Sequence, residues 1–170
     1  ICDVVEKLLE GLNPEQLEGV SHKEGPLLIL AGAGTGKTKV LTTRIAKLIA
    51  SGKAYPHEIL SVTFTNKAAQ EMKQRIEKML GPVDGLWLGT FHSIAARILR
   101  QHAEEVGLKK DFNIIDAGDQ LRVIKQVIKD SNLSDAAIPP KLFLYLMNRY
   151  KDKGIGYEDL PAGEAQQHIN

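Results

Sequence analysis

The chain has 170 residues, of which 43% are hydrophobic and 25% charged, and its net charge is +1. This balance is typical of a folded globular protein and excludes extensive disorder; neither a membrane span nor a signal peptide is predicted. The single cysteine, Cys2, excludes an internal disulfide and a cysteine-based metal cluster, and it fits a reducing, cytoplasmic setting.

The first half of the sequence alternates short apolar runs with amphipathic stretches. Strands are predicted at residues 27–31, 59–64 and 86–90, because these runs are apolar or rich in β-branched and aromatic residues. Between them, one helical pattern begins at Lys39, with apolar residues at Val40, Leu41, Ile45, Leu48 and Ile49. A second helix is predicted to be capped by Asn66, to end at Gly81-Pro82 and to carry Ala69, Met72, Ile76 and Met79 on one face. The alternation of strands and helices implies parallel β-α-β units, and hence an α/β fold.

The second half is predicted to be mostly helical. One helix is expected over residues 93–106, ending at Gly107. Asp116 or Asp119 is expected to cap a second helix, and the pair Pro139-Pro140 opens a third. No internal repeat or low-complexity segment is found.

The most specific motif is the run AGAGTGKT at residues 31–38. It matches the phosphate-binding loop except at its first position, where Ala31 replaces glycine. The glycines let backbone N–H groups converge on phosphate oxygens, and the next helix directs its positive end at the same anion. Lys37 is expected to reach the β- and γ-phosphates, and Thr38 is expected to ligate Mg²⁺. The predicted contacts with the nucleotide include Ala33, Gly34, Thr35, Gly36, Lys37 and Thr38.

Several classes of protein share such a loop, and local chemistry excludes two of them. A dinucleotide-binding fold needs the spacing G-x-G-x-x-G, whereas Gly32, Gly34 and Gly36 alternate with other residues. A GTPase needs an aspartate in N-K-x-D, and residues 66–69 read NKAA. A small nucleoside or metabolite kinase remains an alternative.

Three further segments surround the loop in the sequence. Residues 12–16 contain Gln16, whose amide has one donor and one acceptor that suit the N6/N7 edge of adenine. Asn13-Pro14 in the same segment is also explained simply as a helix cap. Residues 63–69 and 89–93 follow predicted strands, at the edge where α/β proteins bind ligands.

With these motifs in this order, the chain resembles the N-terminal part of superfamily 1 DNA helicases of the UvrD, Rep and PcrA group. The Q motif matches residues 12–16, motif I residues 31–38, motif Ia residues 63–69 and motif Ib residues 89–93. Lys39, which the resemblance places near the nucleotide, departs from the arginine of many relatives. A lysine keeps the charge and loses the planar face that stacks on adenine.

The resemblance implies a RecA-like phosphate-loop core with a parallel sheet, incomplete in this chain. Residues 1–92 would belong to the ATP-binding subdomain 1A, and residues 93–170 to part of the helical insertion 1B. The implied activity is that of a 3′-to-5′ DNA helicase or translocase that uses ATP and Mg²⁺ in repair or replication. Its implied partners are single-stranded DNA, junctions of single- and double-stranded DNA, and repair or replication proteins that the sequence does not identify.

The resemblance also assigns residues to DNA. Phe64 would stack on a base, and Thr65, Asn66, Thr90 and His92 would donate hydrogen bonds to the single strand. The alternative for Phe64 is a core aromatic at a strand end. The alternative for His92 is a residue at a helix start with a satisfied hydrogen bond.

An acidic partner for the phosphate loop is not found in the sequence. Asp116 comes closest to the expected apolar run followed by Asp-Glu, but a helix cap explains it better, and Glu158-Asp159 follows no apolar run. The chain is therefore expected to be a piece of a longer protein, cut at both ends and inactive by itself. A complete phosphotransferase would need a base and an acceptor pocket, and a purely DNA-binding module leaves Lys37 and Thr38 unexplained.

Overall fold

The computed structural model describes residues 2–133 and 139–160, with Cys2 described by its backbone only. Contacts between Cα atoms divide the chain into two compact units, Ile1–Lys110 and Asp111–Asn170. The boundary predicted after residue 92, between subdomains 1A and 1B, is a different division of the chain, and it stays a prediction.

The first unit combines helices with a small sheet. Its elements in chain order are α1 (Cys2–Leu9), α2 (Pro14–Ser21), α3 (Lys37–Ala50), β1 (Leu60–Thr63), α4 (Asn66–Leu80), β2 (Trp87–Thr90) and α5 (Phe91–Gln101). Short 3₁₀ turns lie at Pro56–Glu58 and Ala103–Val106.

Strands β1 and β2 pair in parallel, with Leu60 opposite Trp87 and Thr63 opposite Thr90. Helix α4 connects them, which confirms the β-α-β unit predicted from the strand patterns at 59–64 and 86–90. Because the strands are parallel and in register, the segments that follow β1 and β2 leave the sheet at the same edge.

The predicted strand at residues 27–31 is wrong for this structure. Leu28 and Leu30 are 80% and 86% exposed, and the sheet within the described residues contains β1 and β2 alone. The run has the composition of a strand buried on both faces, which needs a neighbouring strand to accept and donate its ladder hydrogen bonds. No described residue supplies that neighbour, so the described structure mixes helices with a small parallel sheet of two strands, which is compatible with an incomplete α/β core.

The core of the first unit lies between α3, α4 and the sheet. Ile45, Met72, Ile76 and Val83 form a buried cluster, in which Ile76 is fully inaccessible. Side chains of this kind each contribute roughly 1.5–3 kcal/mol when removed from water. The helical spacing of the apolar residues in the sequence therefore predicted the faces of α3 and α4 that pack.

The start of α4 differs from the prediction by one residue. Thr65, in an extended conformation, caps the helix by accepting a hydrogen bond from the Ala68 N–H at 3.1 Å, and Asn66 is the first helical residue. The end is as predicted, because Gly81 follows the last turn with a φ of 83°.

Helix α5 begins at Phe91, two residues before the predicted start. Thr90 caps it, since its Oγ1 accepts from the Ser93 N–H at 3.1 Å. A 3₁₀ turn follows the helix and ends at Gly107, which has a φ of 73°. Gly107 is the residue at which the helix was predicted to end.

The second unit contains α6 (Ala117–Asp130), α7 (Pro140–Asp152) and a 3₁₀ turn at Tyr157–Asp159. Asp116 caps α6 by accepting from the Asp119 N–H at 2.8 Å, which confirms one of the two predicted caps. The described residues of this unit form no strand. No helix in the described parts of either unit has the length and hydropathy needed to cross a membrane.

Candidate functional site

The phosphate loop leads directly into α3. Gly36 is the N-cap residue of α3 with a φ of 89°, and Gly34 has a φ of 75°. Side chains of the loop bind its own carbonyls: Lys37 Nζ donates to Ala31 O at 2.8 Å, and Thr35 Oγ1 donates to Gly32 O at 2.7 Å. The lysine is therefore held across the loop, with its ammonium at the carbonyl of the first residue of the motif.

Gln16 lies against this loop. Its Nε2 donates to Thr35 O at 3.3 Å, and its Oε1 accepts from the Asn13 N–H at 3.1 Å. Asn13 in turn caps α2 by accepting from the Gln16 N–H at 2.8 Å, which confirms the helix cap considered for this segment. A contact between Gln16 and adenine would exchange these bonds and stays a prediction.

Lys39 binds the chain just before Gln16's helix. Its Nζ donates to Gly11 O at 2.7 Å, and Gly11 has a φ of 71°. The resemblance placed Lys39 near the nucleotide, but no local signal in the sequence indicated this bond.

Two basic side chains of α3, Arg44 and Lys47, donate hydrogen bonds to α2 and to the residue that follows it. Arg44 Nη1 donates to the carbonyls of Gly19 at 3.0 Å and His22 at 2.7 Å, and Lys47 Nζ donates to Ser21 Oγ at 3.0 Å. Through these bonds the helix that carries Gln16 is held to the helix that begins at the loop. Burial lowers the pKa of Lys47, and so, in decreasing order, do the charges of Lys53, Arg44 and Lys23.

Two cavities flank the loop. The first, of about 220 Å³, is lined by Asn13, Glu15, Gln16, Ile29, Leu30, Ala31, Thr35, Lys37 and Val40. The second, of about 320 Å³, is lined by Thr38, Leu41, Thr63, Phe64, Thr65, Ala68, Glu71 and Met72. The predicted metal ligand and two of the predicted DNA-binding residues therefore share a cavity.

Thr38, the residue predicted to ligate Mg²⁺, would be one ligand of an ion that is held mainly by a nucleotide. No group of three or more His, Cys, Asp and Glu side chains that could bind a metal occurs in the described part of the chain. Mg²⁺ bound to a nucleotide takes most of its ligands from phosphates and water, and the Thr38 hydroxyl at the start of α3 would supply one ligand beside a carboxylate. Glu71, which the sequence patterns did not single out, is the carboxylate in this cavity.

The residues predicted to bind DNA lie at the edge where β1 and β2 end. Phe64 is 91% exposed and so packs in no core formed by the described residues, and Thr65, Asn66 and His92 are exposed as well. Thr90 differs: it is only 8% exposed, and its hydroxyl contacts both the N–H and the Oγ of Ser93. Its predicted contact with DNA would require those bonds to open.

Comparison with known sequences gives the family of the chain. Residues 12–169 match the sequence model of the UvrD/REP helicase N-terminal domain. The chain belongs to the UvrD/Rep helicase family. The match includes the segment of Gln16, the phosphate loop and the edge that carries Phe64.

Similar proteins in this family are bacterial DNA helicases. The chain is 49% identical over 148 residues to the ATP-dependent DNA helicase PcrA of Bacillus subtilis, covering 86% of this chain and 20% of that protein. It is 48% identical over 161 residues to DNA helicase II of Haemophilus influenzae, covering 92% and 22%. A probable DNA helicase II homolog of Rickettsia conorii is 51% identical over 146 residues, covering 85% and 22%. The chain thus spans about a fifth of the length of these UvrD/Rep relatives.

Proposed function

We propose that this chain is the ATP-binding N-terminal part of an ATP-dependent DNA helicase that moves 3′ to 5′ on single-stranded DNA in repair or replication. The observation that carries the proposal is the phosphate loop closed by Lys37 and contacted by Gln16, in a chain of the UvrD/Rep family. We extend the proposal to a RecA-like core, with further strands beside β1 and β2, and to a cytoplasmic location.

Binding of ATP would require only local changes at the loop. Lys37 would exchange its bond with Ala31 O for the charged oxygens of the β- and γ-phosphates, and bonds between two charged groups are the stronger ones. The N–H groups of Gly34 to Thr38 would point at the same phosphates from the start of α3. Thr38 would ligate Mg²⁺, and Lys39 would lie near the base.

Single-stranded DNA would bind at the edge formed by the ends of β1 and β2. Phe64, Asn66 and His92 are exposed there and offer one aromatic face and several hydrogen-bonding groups. The helices α4 and α5 also begin at this edge, so their positive ends favour phosphate groups. Because Thr38 and Phe64 line one cavity, a short path joins the proposed nucleotide and DNA sites.

Neither alternative function is retained. A small phosphotransferase and a purely DNA-binding module are both different classes from the UvrD/Rep helicases, whose domain matches residues 12–169. The phosphate loop also has no use in a module that binds DNA alone.

Equilibrium binding of a fluorescent ATP analogue with Mg²⁺ tests the proposal on the chain itself. Lys37→Ala should weaken binding roughly 10- to 100-fold, because a charged hydrogen bond is worth about 1.5–3 kcal/mol. The matched control Lys53→Ala removes an exposed lysine beyond the end of α3 and should leave affinity unchanged.

The same assay tests the base. ATP should bind about 5- to 30-fold more tightly than GTP, and Gln16→Ala should remove that preference. Equal affinities for the two nucleotides that Gln16→Ala leaves unchanged would exclude the adenine contact. Binding that Lys37→Ala does not weaken would contradict the proposed ATP site as a whole.

A further inference from the structure

We propose that Arg44 is a positioning residue for base recognition: it fixes α2 against α3, so that Gln16 lies at a set distance from the phosphate loop. The inference rests on the proposed function and deepens it, because the preference for adenine then depends on a side chain that does not touch the nucleotide. Neither of the two cavities beside the loop is lined by Arg44. No pattern in the sequence singled out this residue for the nucleotide site.

Arg44 binds the C-terminal end of α2. The last carbonyl groups of a helix have no partner within it, and they carry the negative end of the helix dipole. The Nη1 atom of Arg44 donates to Gly19 O at 3.0 Å and to His22 O at 2.7 Å, and it lies 3.5 Å from Val20 O. Hydrogen bonds from a charged donor are the stronger ones, so the guanidinium holds this end of α2 more firmly than a neutral side chain would.

Close packing at the same end leaves α2 little room to move. Gly19 is buried, and a Cβ atom on it would lie 3.1 Å from both Ile29 Cδ1 and Val40 Cγ1. This distance is shorter than the optimal separation of two carbon atoms, so α2 packs against α3 through its backbone. The close approach brings the carbonyl groups of α2 within reach of Arg44.

Gln16 lies near the opposite end of the same short helix. α2 has 8 residues, and Gln16 occupies the third position of its first turn. With a rise of about 1.5 Å per residue, Gln16 lies only about 4.5 Å along the axis from Gly19. A helix this short depends on tertiary contacts for its stability, and a shift at one end displaces the other. The bond from Gln16 Nε2 to Thr35 O is already 3.3 Å long, so a small outward shift breaks it.

Helix α3 connects this contact to the phosphate loop. Lys37 and Arg44 are close to two turns apart, so both lie on one face of α3. Lys37 bonds across the loop to Ala31 O, whereas Arg44 bonds to α2. One helix therefore holds both the loop that would bind the phosphates and the helix that would present Gln16 to the base. A nucleotide whose phosphates are bound can contact Gln16 only if the distance between the two sites is right.

Lys47 provides a second link between the two helices. Its Nζ donates to Ser21 Oγ at 3.0 Å. This bond and the packing of Gly19 remain when Arg44 is replaced, so we expect α2 to shift rather than to detach. The phosphate loop is held by bonds of its own. Loss of Arg44 should therefore alter recognition of the base and leave binding of phosphates intact.

Isothermal titration calorimetry with three ligands, each with Mg²⁺, tests the proposal on this chain. The ligands are ATP, GTP and inorganic tripolyphosphate, which has the phosphates without the base. Arg44→Met should weaken ATP binding roughly 5- to 30-fold, the preference expected from Gln16, and change the other two affinities by less than about twofold. Arg44→Lys keeps the charge and three donors on a shorter side chain, so its preference for ATP should be intermediate. Arg122→Met, which removes an exposed arginine on α6, is the matched control and should bind all three ligands like the wild type.

Two further variants separate positioning from a general effect on the fold. Gln16→Ala combined with Arg44→Met should bind ATP no more weakly than Gln16→Ala alone, because Arg44 acts through Gln16. Gly19→Ala keeps Arg44 and pushes α2 away from Ile29 and Val40, so it should also reduce the preference for ATP and leave tripolyphosphate binding unchanged. A merely structural role of Arg44 would weaken all three ligands to the same degree and would add to the effect of Gln16→Ala.

The outcomes distinguish positioning from the proposed function. If Arg44→Met keeps the wild-type ratio of ATP to GTP affinity, or weakens all three ligands equally, the role of Arg44 is overturned and the nucleotide site survives. If Arg44→Met binds none of the ligands, Arg44→Lys and Gly19→Ala decide, and a wild-type ratio in both overturns the role. If the wild-type chain binds ATP no more tightly than GTP, the adenine contact of Gln16 is overturned and the role of Arg44 with it. If it binds neither ATP nor tripolyphosphate, the proposed ATP site itself is overturned.

Discussion

At the scale of single residues, the closest approach to a glycine of the phosphate loop is that of Gln16 to Gly36. A Cβ atom on Gly36 would lie 2.6 Å from Gln16 Nε2, and Gly36 also has a φ of 89°. A Cβ atom on Gly34, whose φ is 75°, would meet no other side chain or distant backbone atom within 4 Å. Two glycines of one loop are therefore required for different reasons, backbone conformation in both and close approach in Gly36 alone.

We expect Gly34→Ala to lower the free energy of unfolding of the first unit by about 1–2 kcal/mol, the cost of a left-handed backbone for a residue with a Cβ. Gly36→Ala should cost roughly 1 kcal/mol more, since Gln16 must rotate and lose its bonds with Asn13 and Thr35. Urea unfolding followed by the fluorescence of Trp87, which lies in β2 of this unit, measures both.

Gln16→Ala supplies the control for that difference. In its background, Gly36→Ala should cost no more than Gly34→Ala, because the side chain that the new methyl group meets is gone. An extra cost of Gly36→Ala that persists without Gln16 would show that the close approach does not determine the requirement for glycine.

At the scale of secondary structure, Asp116 shows how a cap can be confused with a catalytic acid. Its carboxylate accepts from the Asp119 N–H at the first turn of α6, an ordinary helix-capping geometry. Asp116 lies in the second compact unit, whereas the phosphate loop lies in the first. The capping role that the sequence favoured is therefore sufficient to explain the residue.

Asp116→Ala should destabilise α6 by about 1 kcal/mol, and Asp116→Asn should cost only a few tenths, because asparagine is an equally good cap. Thermal unfolding followed by circular dichroism at 222 nm checks both. Asp111→Ala, at an exposed position outside any helix, is the matched control and should change nothing. A loss in Asp116→Asn as large as that in Asp116→Ala would mean that the negative charge, rather than the cap, matters.

At the scale of the whole molecule, binding of a nucleotide and its hydrolysis have different requirements. Hydrolysis needs held phosphates, a carboxylate that orients water, and a cation that meets the charge on the γ-phosphoryl group. The chain spans about a fifth of the relatives it matches, and its phosphate loop supplies only the first of these. Coupling to DNA also requires two conformations with different contacts at both sites.

We therefore expect no DNA-stimulated ATPase activity from this 170-residue chain. Absence of a cation across the cleft alone typically costs a factor of roughly 10³–10⁵, or about 4–7 kcal/mol of barrier. A steady-state assay with and without oligonucleotide, with Lys37→Ala as the blank, measures it. A longer protein that contains this sequence should hydrolyse ATP, faster with DNA, and lose that activity with Lys37→Ala.

Turnover by the chain itself, dependent on Lys37 and raised by DNA, would contradict this expectation. Glu71 would then be the first residue to test, because it is the carboxylate in the cavity that Thr38 lines. In that case Glu71→Gln should abolish the turnover and leave nucleotide binding intact.

The sequence alone determined the features that depend on local chemistry. The phosphate loop can be predicted from the sequence because glycines, lysine and threonine must occur at set spacings to hold a phosphate. Helices α3, α4 and α6 can be predicted because their apolar residues recur at helical spacing and because glycine or a capping side chain marks an end. At α4 and α5 the errors of one or two residues arose because a threonine caps each helix earlier than its neighbours suggested. Helix α3 begins at Lys37, two residues before the predicted pattern, with Gly36 as its N-cap.

Tertiary structure alone decided which distant residues meet. The bonds from Gln16 to Thr35 O and from Lys39 to Gly11 O join residues 19 and 28 positions apart, and no local pattern encodes them. The run at residues 27–31 has the composition of a buried strand, yet it forms none, because a strand also needs a partner that composition does not specify. For the same reason the contact between Phe64 and Phe91 was not predicted: it follows from the register of two strands, which exists only once the sheet has formed.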